Sequence, residues 1–420
     1  MRTLSALEHF ERSVRERLFV PDASNRQFIG AEVEMLALLA DSGWPCPLEP
    51  VAGERRSTLG FLREYGTARG WREHRSSKGA PYFALPNGST LNFEPGGQLE
   101  LCTVPSRSVS DLIKETKAVL GDLRTAAHNE GIVLASVGID PENPVDRVSL
   151  QLSSPRYVAM TRYFETIGPS GVRMMRQTAA TQLSLDPGPR PEERWRLLCD
   201  VAPYLLAIFA NSPRYAGRDT GDRSFRARCW RLLDPSRTGI PYPECPAADA
   251  YARFALEAVD MTRTDAAGTY RTFGDWANDD DATEAQWENH LTTLFPEVRP
   301  RGHLELRSID AVEPELVGAA LVLVAGLVYD PTSAREARDL VGGADEEMLN
   351  RATRCGLRDG VLLNGSQALV EIGLRGARAL SADVIARSAL EEATDLFARW
   401  TGKGLSPADA RSTPETHVES

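Results

Sequence analysis

Four short segments of the chain alternate between polar and apolar residues with the two-residue period of a β-strand. They carry Glu32 with Glu34, then Gln98 with Glu100, then Gln182, and finally Glu305 with Arg307. Because side chains two apart on a strand share a face, each segment presents acids, amides or arginine on one side and mainly leucine, valine or methionine on the other. The pattern predicts strands of one sheet, polar on one face and packed on the other.

The acids on this polar face allow two interpretations. A polar sheet face ordinarily meets water, and that interpretation suffices for any strand taken alone. Neighbouring carboxylates about 4 Å apart, however, repel by roughly 1 kcal/mol in water and about 4 kcal/mol at an effective dielectric constant of ~20. A cluster of acids therefore requires protonation, dispersal or cations. Magnesium is the cation that best suits carboxylate oxygens, since it also retains phosphates and waters in its shell.

Helical spacing of apolar residues predicts the remaining regular structure. The predicted helices span residues 4–18, 110–129, 191–210, 247–260, 312–328, 345–355 and 382–400. Residues 264–286, which include three consecutive aspartates, are predicted to form a long loop. With no linker in the middle of the chain, residues 1–402 are expected to form a single catalytic domain, and residues 403–420 a disordered tail.

Composition narrows the functional classes. The net charge of −11 over 420 residues argues against a nucleic-acid partner, which would demand a basic surface. The most apolar run, Leu316 to Tyr329, is too short to span a bilayer, so we expect a buried helix in a cytoplasmic protein without membrane contact. The six cysteines form no Cys-x-x-Cys pair, which favours reduced thiols. Cys102 shares a strand face with Glu100, and its simplest role is packing.

Motifs that usually hold nucleotides are missing from the sequence. There is no Walker loop, and no Gly-x-Gly-x-x-Gly follows a predicted strand. If the protein uses ATP, it must hold it in another way.

Several longer motifs together resemble the glutamate–cysteine ligase family, in its plant-type and actinobacterial ergothioneine-pathway branch. The resemblance covers roughly residues 25 to 330 in family order and rests mainly on Gly30-Ala-Glu-Val-Glu34, Phe93-Glu-Pro-Gly-Gly-Gln-Leu-Glu-Leu101, Met174-Met-Arg-Gln-Thr-Ala-Ala-Thr-Gln-Leu-Ser-Leu-Asp186, Ser224-Phe-Arg-Ala-Arg-Cys-Trp230 and Leu304-Glu-Leu-Arg307. It implies an α+β, glutamine-synthetase-like fold. In that fold a curved, mainly antiparallel sheet forms an active-site cup surrounded by helices.

The resemblance also implies roles for individual residues. The metal-binding carboxylates would be Glu32, Glu34, Glu94, Glu100 and Glu305. Catalysis would use Arg307 and Glu305, and the alternative for Arg307 is a counter-ion of the acids. The substrate-binding residues would be Arg226, Arg237, Arg156, Tyr157 and Gln182. Gln182 stands where some relatives place a metal ligand, and an amide can bind either metal or substrate.

The implied reaction joins glutamate to cysteine at the expense of ATP, through a γ-glutamyl phosphate. Two or more Mg²⁺ ions would be the cofactors, and ATP, glutamate and cysteine or another amine the partners of a monomer or homodimer. Two alternatives stay open: a related ligase that joins a different acid or amine, and a catalytically idle homologue that only binds nucleotide.

Overall fold

One open antiparallel sheet organises the molecule. The computed structural model describes residues 5–24, 26–242 and 244–412. Its described strands are β1 (Ile29–Leu39), β2 (Arg72–Arg75), β3 (Pro81–Ala84), β4 (Thr90–Phe93), β5 (Leu99–Cys102), β6 (Ile132–Ala135), β7 (Ala180–Leu185), β8 (Arg214–Tyr215), β9 (Arg218–Asp219), β10 (Thr238–Gly239), β11 (Phe295–Pro296), β12 (Val298–Pro300) and β13 (Leu304–Asp310). Nine of them form the sheet, in the order β12-β13-β7-β1-β5-β4-β3-β2, with β6 paired to the second half of β1.

Helices surround this sheet. The described helices are α1 (Ala6–Arg17), α2 (Thr58–Thr67), α3 (Val109–Asn129), α4 (Pro155–Glu165), α5 (Pro169–Gln177), α6 (Pro191–Ile208), α7 (Phe225–Arg231), α8 (Ala247–Glu257), α9 (Phe273–Asn278), α10 (Glu284–Leu291), α11 (Pro314–Tyr329), α12 (Pro331–Val341), α13 (Glu346–Cys355), α14 (Gly360–Ala379), α15 (Arg387–Arg399) and α16 (Pro407–Ser412). Each of the seven predicted helical ranges overlaps an observed helix over most of its length, so those predictions are confirmed.

The two faces of the sheet differ as the alternation predicts. Val33, Leu101, Leu183 and Leu306 are at most 1% exposed and belong to the main hydrophobic core. The polar residues between them point to the opposite side, where they line a cavity. The predicted strands and the direction of their faces are therefore confirmed.

Two predictions about irregular segments are corrected. Residues 264–286 are not one loop, because they contain α9 and the start of α10. The tail predicted as disordered from residue 403 contains α16, and the Ala408 amide donates to the Ala210 carbonyl at 2.8 Å. Residues 413–420 lie outside the described residues. The single domain over residues 1–402 stays a prediction.

The apolar run that stood out in the sequence forms the buried helix α11. No single helix in the described part of the chain is long and apolar enough to cross a membrane. One pair, α11 and α12, meets the length and composition criteria only when both are taken together, and it is bent by 96°.

Candidate active site

A cavity of about 400 Å³ lies over the polar face of the sheet. Nine of the predicted site residues line it: Glu32, Glu34, Glu94, Glu100, Arg156, Tyr157, Gln182, Arg226 and Arg307. Residues separated by up to 275 positions therefore meet in one place. Glu305 and Arg237 are not among the lining residues.

Strand register brings the acids together. Glu34 pairs with Glu100 across β1 and β5, and Glu32 stands between Cys102 on β5 and Gln182 on β7. Glu94 follows β4 at the turn into β5, where the Glu94 amide donates to the Gln98 carbonyl at 2.8 Å. The sheet thus gathers four carboxylates on one side of the cavity, a grouping that we call the carboxylate cluster: Glu32, Glu34, Glu94 and Glu100.

The turn that carries Glu94 depends on glycine. Gly97 has a positive φ of 87°, which is costly for residues with a side chain. A Cβ atom on Gly96 would lie 2.1 Å from the Arg176 carbonyl oxygen. Only glycine allows α5 to pass this close to the turn, and the position of Glu94 follows from that contact.

Burial makes the carboxylate cluster costly to ionise. It raises the pKa of Glu32, Glu94 and Glu100, and the neighbouring acids raise the pKa of Glu100 further. Burial, together with the charge of Glu94, raises the pKa of Glu34 to about 8. Glu34 is partly compensated, because it accepts hydrogen bonds from the Ala180 amide at 2.7 Å and from Gln182 Nε2 at 2.8 Å.

The donor chemistry of the cluster fits a divalent cation. Single ligand atoms of Glu32, Glu100 and Cys102 all lie within 4.8 Å of one another. A cation between the carboxylates would relieve both their burial and their mutual repulsion. Hard ions prefer the two carboxylates to the thiol. Cys102 instead donates from its sulfur to Glu100 Oε2 at 3.2 Å, and burial followed by the charge of Glu100 raises the pKa of this thiol.

Glu305 is a different kind of carboxylate. It is fully buried, and Arg299 Nη2 lies 2.7 Å from its Oε1, Arg301 Nη1 lies 3.2 Å from its Oε2, and Arg307 also pairs with Oε1. Burial alone would raise the pKa of Glu305, but the three arginine charges hold it well below its usual range. In this structure Glu305 therefore anchors arginines, and its metal-binding and catalytic roles stay predictions.

Two of the predicted arginines, Arg226 and Arg307, line the same cavity as the carboxylate cluster. Arg226 Nη2 donates to the Arg307 carbonyl at 2.8 Å, and Arg226 Nη1 lies 3.6 Å from Asp310 Oδ1. The Arg307 guanidinium donates to Gln182 Oε1, and both arginines lie over the Trp230 ring, at 5.5 and 5.6 Å from its centroid. These contacts hold two guanidinium groups at the cavity while part of each stays free for a ligand.

Of the remaining predicted substrate-binding residues, two line the cavity and one does not. Arg156 and Tyr157, at the start of α4, line the cavity. Arg237 does not, because it is fully buried and spends its donors on Asp234 Oδ2 at 2.7 Å, the Thr293 carbonyl at 2.9 Å and the Val259 carbonyl. Arg237 thus lies outside the cavity lining, and its substrate-binding role stays a prediction.

Sequence reasoning missed four residues at this site, namely Lys78, Trp230, Arg299 and Arg301. Arg299 lies on β12 and pairs directly with Glu305 across the strands, and Arg301 follows the end of β12. Their two-residue spacing was the available signal. Trp230 ends a quoted motif, yet a tryptophan is usually a packing residue. Lys78 lies in a turn and carried no signal at all.

A second cavity adjoins the first. It measures about 720 Å³ and shares Glu32 and Cys102 with the active-site cavity. Phe28, Pro105 and Pro187 give it apolar walls. The carboxylate cluster thus lies between two spaces.

An open antiparallel sheet with buried carboxylates facing arginines on its polar side gives this protein the fold of the glutamine-synthetase-like ligases, as the fold prediction had it. The model of glutamate–cysteine ligase family 2 (GCS2) matches residues 28–398, and the chain belongs to that family. The protein is accordingly an ATP-dependent ligase.

Individual relatives agree with this assignment. The chain is 36% identical over 343 residues to the glutamate–cysteine ligase EgtA of Mycolicibacterium smegmatis, covering 77% of this chain and 78% of the relative. It is 28% identical over 381 residues to the chloroplastic glutamate–cysteine ligase of Arabidopsis thaliana, covering 80% and 71%. The crystal structure of a glutamate–cysteine ligase from Francisella tularensis in complex with AMP superposes with a TM-score of 0.53 at 12% identity, covering 93% and 85% of the two chains, and it supports the fold alone.

Proposed function

We propose that this protein uses Mg²⁺ and ATP to join the γ-carboxylate of glutamate to the amine of cysteine, which makes γ-glutamylcysteine. One observation carries the proposal: a buried cluster of carboxylates and the guanidinium groups of Arg226 and Arg307 line a single cavity. Transfer of a phosphoryl group needs cations to neutralise its oxygens and fixed donors to orient them. The names of the relatives support glutamate and cysteine as the substrates.

The proposed reaction has two steps. A γ-carboxylate oxygen of glutamate bonds to the γ-phosphorus of ATP, and the bond from that phosphorus to the bridging oxygen breaks, so that ADP leaves. The amine nitrogen then bonds to the γ-carbonyl carbon of the acyl phosphate, inorganic phosphate leaves with the acyl oxygen, and the amine gives up a proton. No protein nucleophile takes part, and catalysis depends on positioning and charge.

Each side of the cavity has its part in this reaction. Glu32 and Glu100, with Glu34 and Glu94 beside them, would hold Mg²⁺, which supplies positive charge to the phosphate oxygens when bound. Arg307 would donate to the phosphoryl group in transfer, and Arg226 would bind a carboxylate of glutamate. The adjoining cavity, which touches the carboxylate cluster at Glu32, gives ATP room beside the metal ligands.

The wall near α4 and α5 favours an uncharged side chain on the acceptor. Met160, Met174, Met175 and Phe295 line this part of the cavity. Thioether and aromatic groups contact sulfur well and do not solvate a second charge. The uncharged, sulfur-containing side chain of a cysteine acceptor suits these contacts. A different acid or amine, joined by the same phosphoryl chemistry, is the second candidate.

The first experiment measures release of ADP and phosphate by the purified protein from Mg-ATP with glutamate and a panel of amines that includes cysteine. Mass spectrometry identifies the product, and EDTA serves as the control for metal dependence. We expect γ-glutamylcysteine only when Mg²⁺ is present. Turnover with another acid or amine would change the substrates and keep the mechanism, whereas a folded protein with no ligand-dependent turnover would be an idle nucleotide-binding homologue.

A further inference from the structure

A groove of about 470 Å³ adjoins the active-site cavity. The groove lies between the turn that joins β2 to β3 and residues 151–157, and it shares Lys78, Arg156 and Tyr157 with the active-site cavity. It shares no lining residue with the second cavity, which meets the active site at Glu32 and Cys102. The active site can therefore be entered from two separate directions.

The turn that carries Lys78 is tied in place. The Ser76 amide donates to the Ala80 carbonyl at 2.8 Å, the Gly79 amide donates to the Ser76 carbonyl at 2.9 Å, and the Ala80 amide donates to Ser76 Oγ at 3.1 Å. Arg75 Nη1 also donates to the Gly79 carbonyl at 2.9 Å. Four bonds over so few residues fix the backbone from which the Lys78 side chain reaches the junction of the two spaces.

Two cations meet at this junction without an anion between them. In residues 5–24, 26–242 and 244–412, no carboxylate lies within ion-pairing distance of Lys78 or of Arg156. Arg156 Nη2 donates to the Thr292 carbonyl at 2.9 Å, and its Nε is buried without a hydrogen-bond partner. Burial and the charge of Arg156 lower the pKa of Lys78, as expected for two like charges held near each other. Glu94 attracts Arg156 only from a longer distance.

We propose that Lys78 and Arg156 bind the carboxylate of the acceptor, which restricts the acceptor to amino acids and makes Lys78 a specificity-determining residue. This inference rests on the proposed ligase function. An α-amino group is attached to the same carbon as the carboxylate, so a carboxylate at the junction places the amine at the edge of the main cavity. There the amine meets the activated acid, while ATP occupies the space on the opposite side.

The choice of the acceptor over the other ligands follows from the layout. Arg226 and Arg307 face the carboxylate cluster and already offer donors for the donor acid and the phosphoryl group. Lys78 and Arg156 both line the groove, which shares no lining residue with the second cavity, where ATP is proposed to lie. A carboxylate that arrives through this groove is the ligand that both cations can bind together.

The test compares cysteine with cysteamine, which has the same amine and thiol and lacks the carboxylate. Wild-type protein should favour cysteine strongly. Lys78→Met should raise KM for cysteine roughly 10- to 100-fold, the usual effect of losing a charged hydrogen bond. It should leave KM for glutamate and ATP, and all turnover of cysteamine, unchanged. Lys78→Arg should restore most of the preference, and Ser77→Ala, an exposed neighbour in the same turn, should behave as wild type.

Two results with Lys78→Met would decide against the inference. An equal loss with cysteine and cysteamine would give Lys78 a general role in catalysis, and a raised KM for glutamate or ATP would place it on another substrate. If a different amine proves to be the acceptor, that amine and its decarboxylated analogue replace the pair. Turnover without any preference for the carboxylate overturns this inference alone, whereas no turnover with any acid and amine overturns the proposed function as well.

Discussion

Different strands of the active-site sheet hold glutamates in opposite electrostatic states. On β1 and β5, Glu34 and Glu100 are buried beside other acids, and their pKa values are raised. On β13, Glu305 is buried at least as deeply, yet its pKa is held well below the usual range. Burial raises the pKa in both places, so the charged neighbours decide the direction of the pKa shift. These neighbours are other acids for Glu34 and Glu100, and three arginines for Glu305.

This difference indicates two separate tasks. Glu305 completes its own ion pairs and positions Arg299 and Arg307, and it needs nothing from a ligand. The carboxylate cluster forms no ion pair within the described residues, so a bound cation would supply its counter-ion. The glutamates that the family resemblance treats alike thus differ in their surroundings: Glu305 is paired with arginines, and the carboxylate cluster is receptive to a cation.

Glu305→Gln should cause the largest loss of stability. The change leaves Arg299, Arg301 and Arg307 facing one another around a neutral amide, and removal of one partner from a buried ion pair typically costs about 3–5 kcal/mol. Urea unfolding of the metal-free protein measures the effect. A variant as stable as the wild type would mean that the arginines do not depend on this carboxylate.

Arg307→Ala should lower kcat about 100- to 1,000-fold, the range for loss of one donor to a transition state. KM for ATP should change far less, because the arginine is expected to act mainly on the transferring group. Steady-state kinetics separate the two quantities. Since Arg299 and Arg301 still neutralise Glu305, the fold should survive. An unchanged kcat would return Arg307 to the role of a counter-ion.

Glu100→Gln should reduce activity about 100-fold and raise the Mg²⁺ concentration needed for half-maximal rate, because a metal ligand loses its charge. Unlike Glu305→Gln, this change should not lower the stability of the metal-free protein, because burial already opposes ionisation of the Glu100 carboxyl group. Activity at several Mg²⁺ concentrations, together with unfolding in EDTA, tests both statements. Full activity would remove Glu100 from the metal site.

The stability of the metal-free protein should depend on pH through the raised pKa values of the carboxylate cluster. The pKa of Glu34 rises from 4.5 to about 8 in the folded state. Its protonated form therefore contributes stability fully below pH 4.5, and this contribution is lost as pH rises towards 8. One proton gives a slope of at most about 1.4 kcal/mol per pH unit.

Thermal unfolding in EDTA from pH 6 to pH 9 measures that slope. Glu34→Gln should flatten it, and added Mg²⁺ should reduce it by favouring the ionised acid. Glu305 has the opposite sign: its depressed pKa gives stability that is present above its ordinary value and lost only in acid. A Tm that stays constant over this interval in both wild type and Glu34→Gln would contradict the raised pKa.

Much of the sheet was predictable because strand alternation is a local property. The two-residue period at Glu32 and Glu34 predicts which face each side chain takes, whatever the rest of the chain does. The register that sets Glu34 opposite Glu100 is not local. The ion pair between Glu305 and Arg299 likewise requires β12 to lie beside β13.

Missed helices have identifiable physical reasons. In α14, several glycines weaken the helical pattern, yet a Cβ on Gly373 would lie 2.4 Å from Leu323 Cδ1, so close packing against α11 requires glycine there. In the segment predicted as a loop, Thr272 with Asp275 and Thr283 with Gln286 form capping boxes. The latter signals were present in the sequence, and the density of turn-forming residues concealed them.

Cys102→Ser should have the smallest effect and decides whether the thiol belongs to the receptive cluster. Cys102 Sγ lies with Glu32 and Glu100 in the group that fits a cation, but burial and the neighbouring acids raise the pKa of the thiol and keep it protonated. A serine hydroxyl can make the same hydrogen bond to Glu100. Activity should therefore stay within about 3-fold of wild type, a difference below 1 kcal/mol, with the same Mg²⁺ requirement. Slow alkylation of Cys102 by iodoacetamide provides an independent check on its protonation. A tenfold rise in the Mg²⁺ requirement of Cys102→Ser would instead make the sulfur a ligand and extend the cluster from carboxylates to a mixed site.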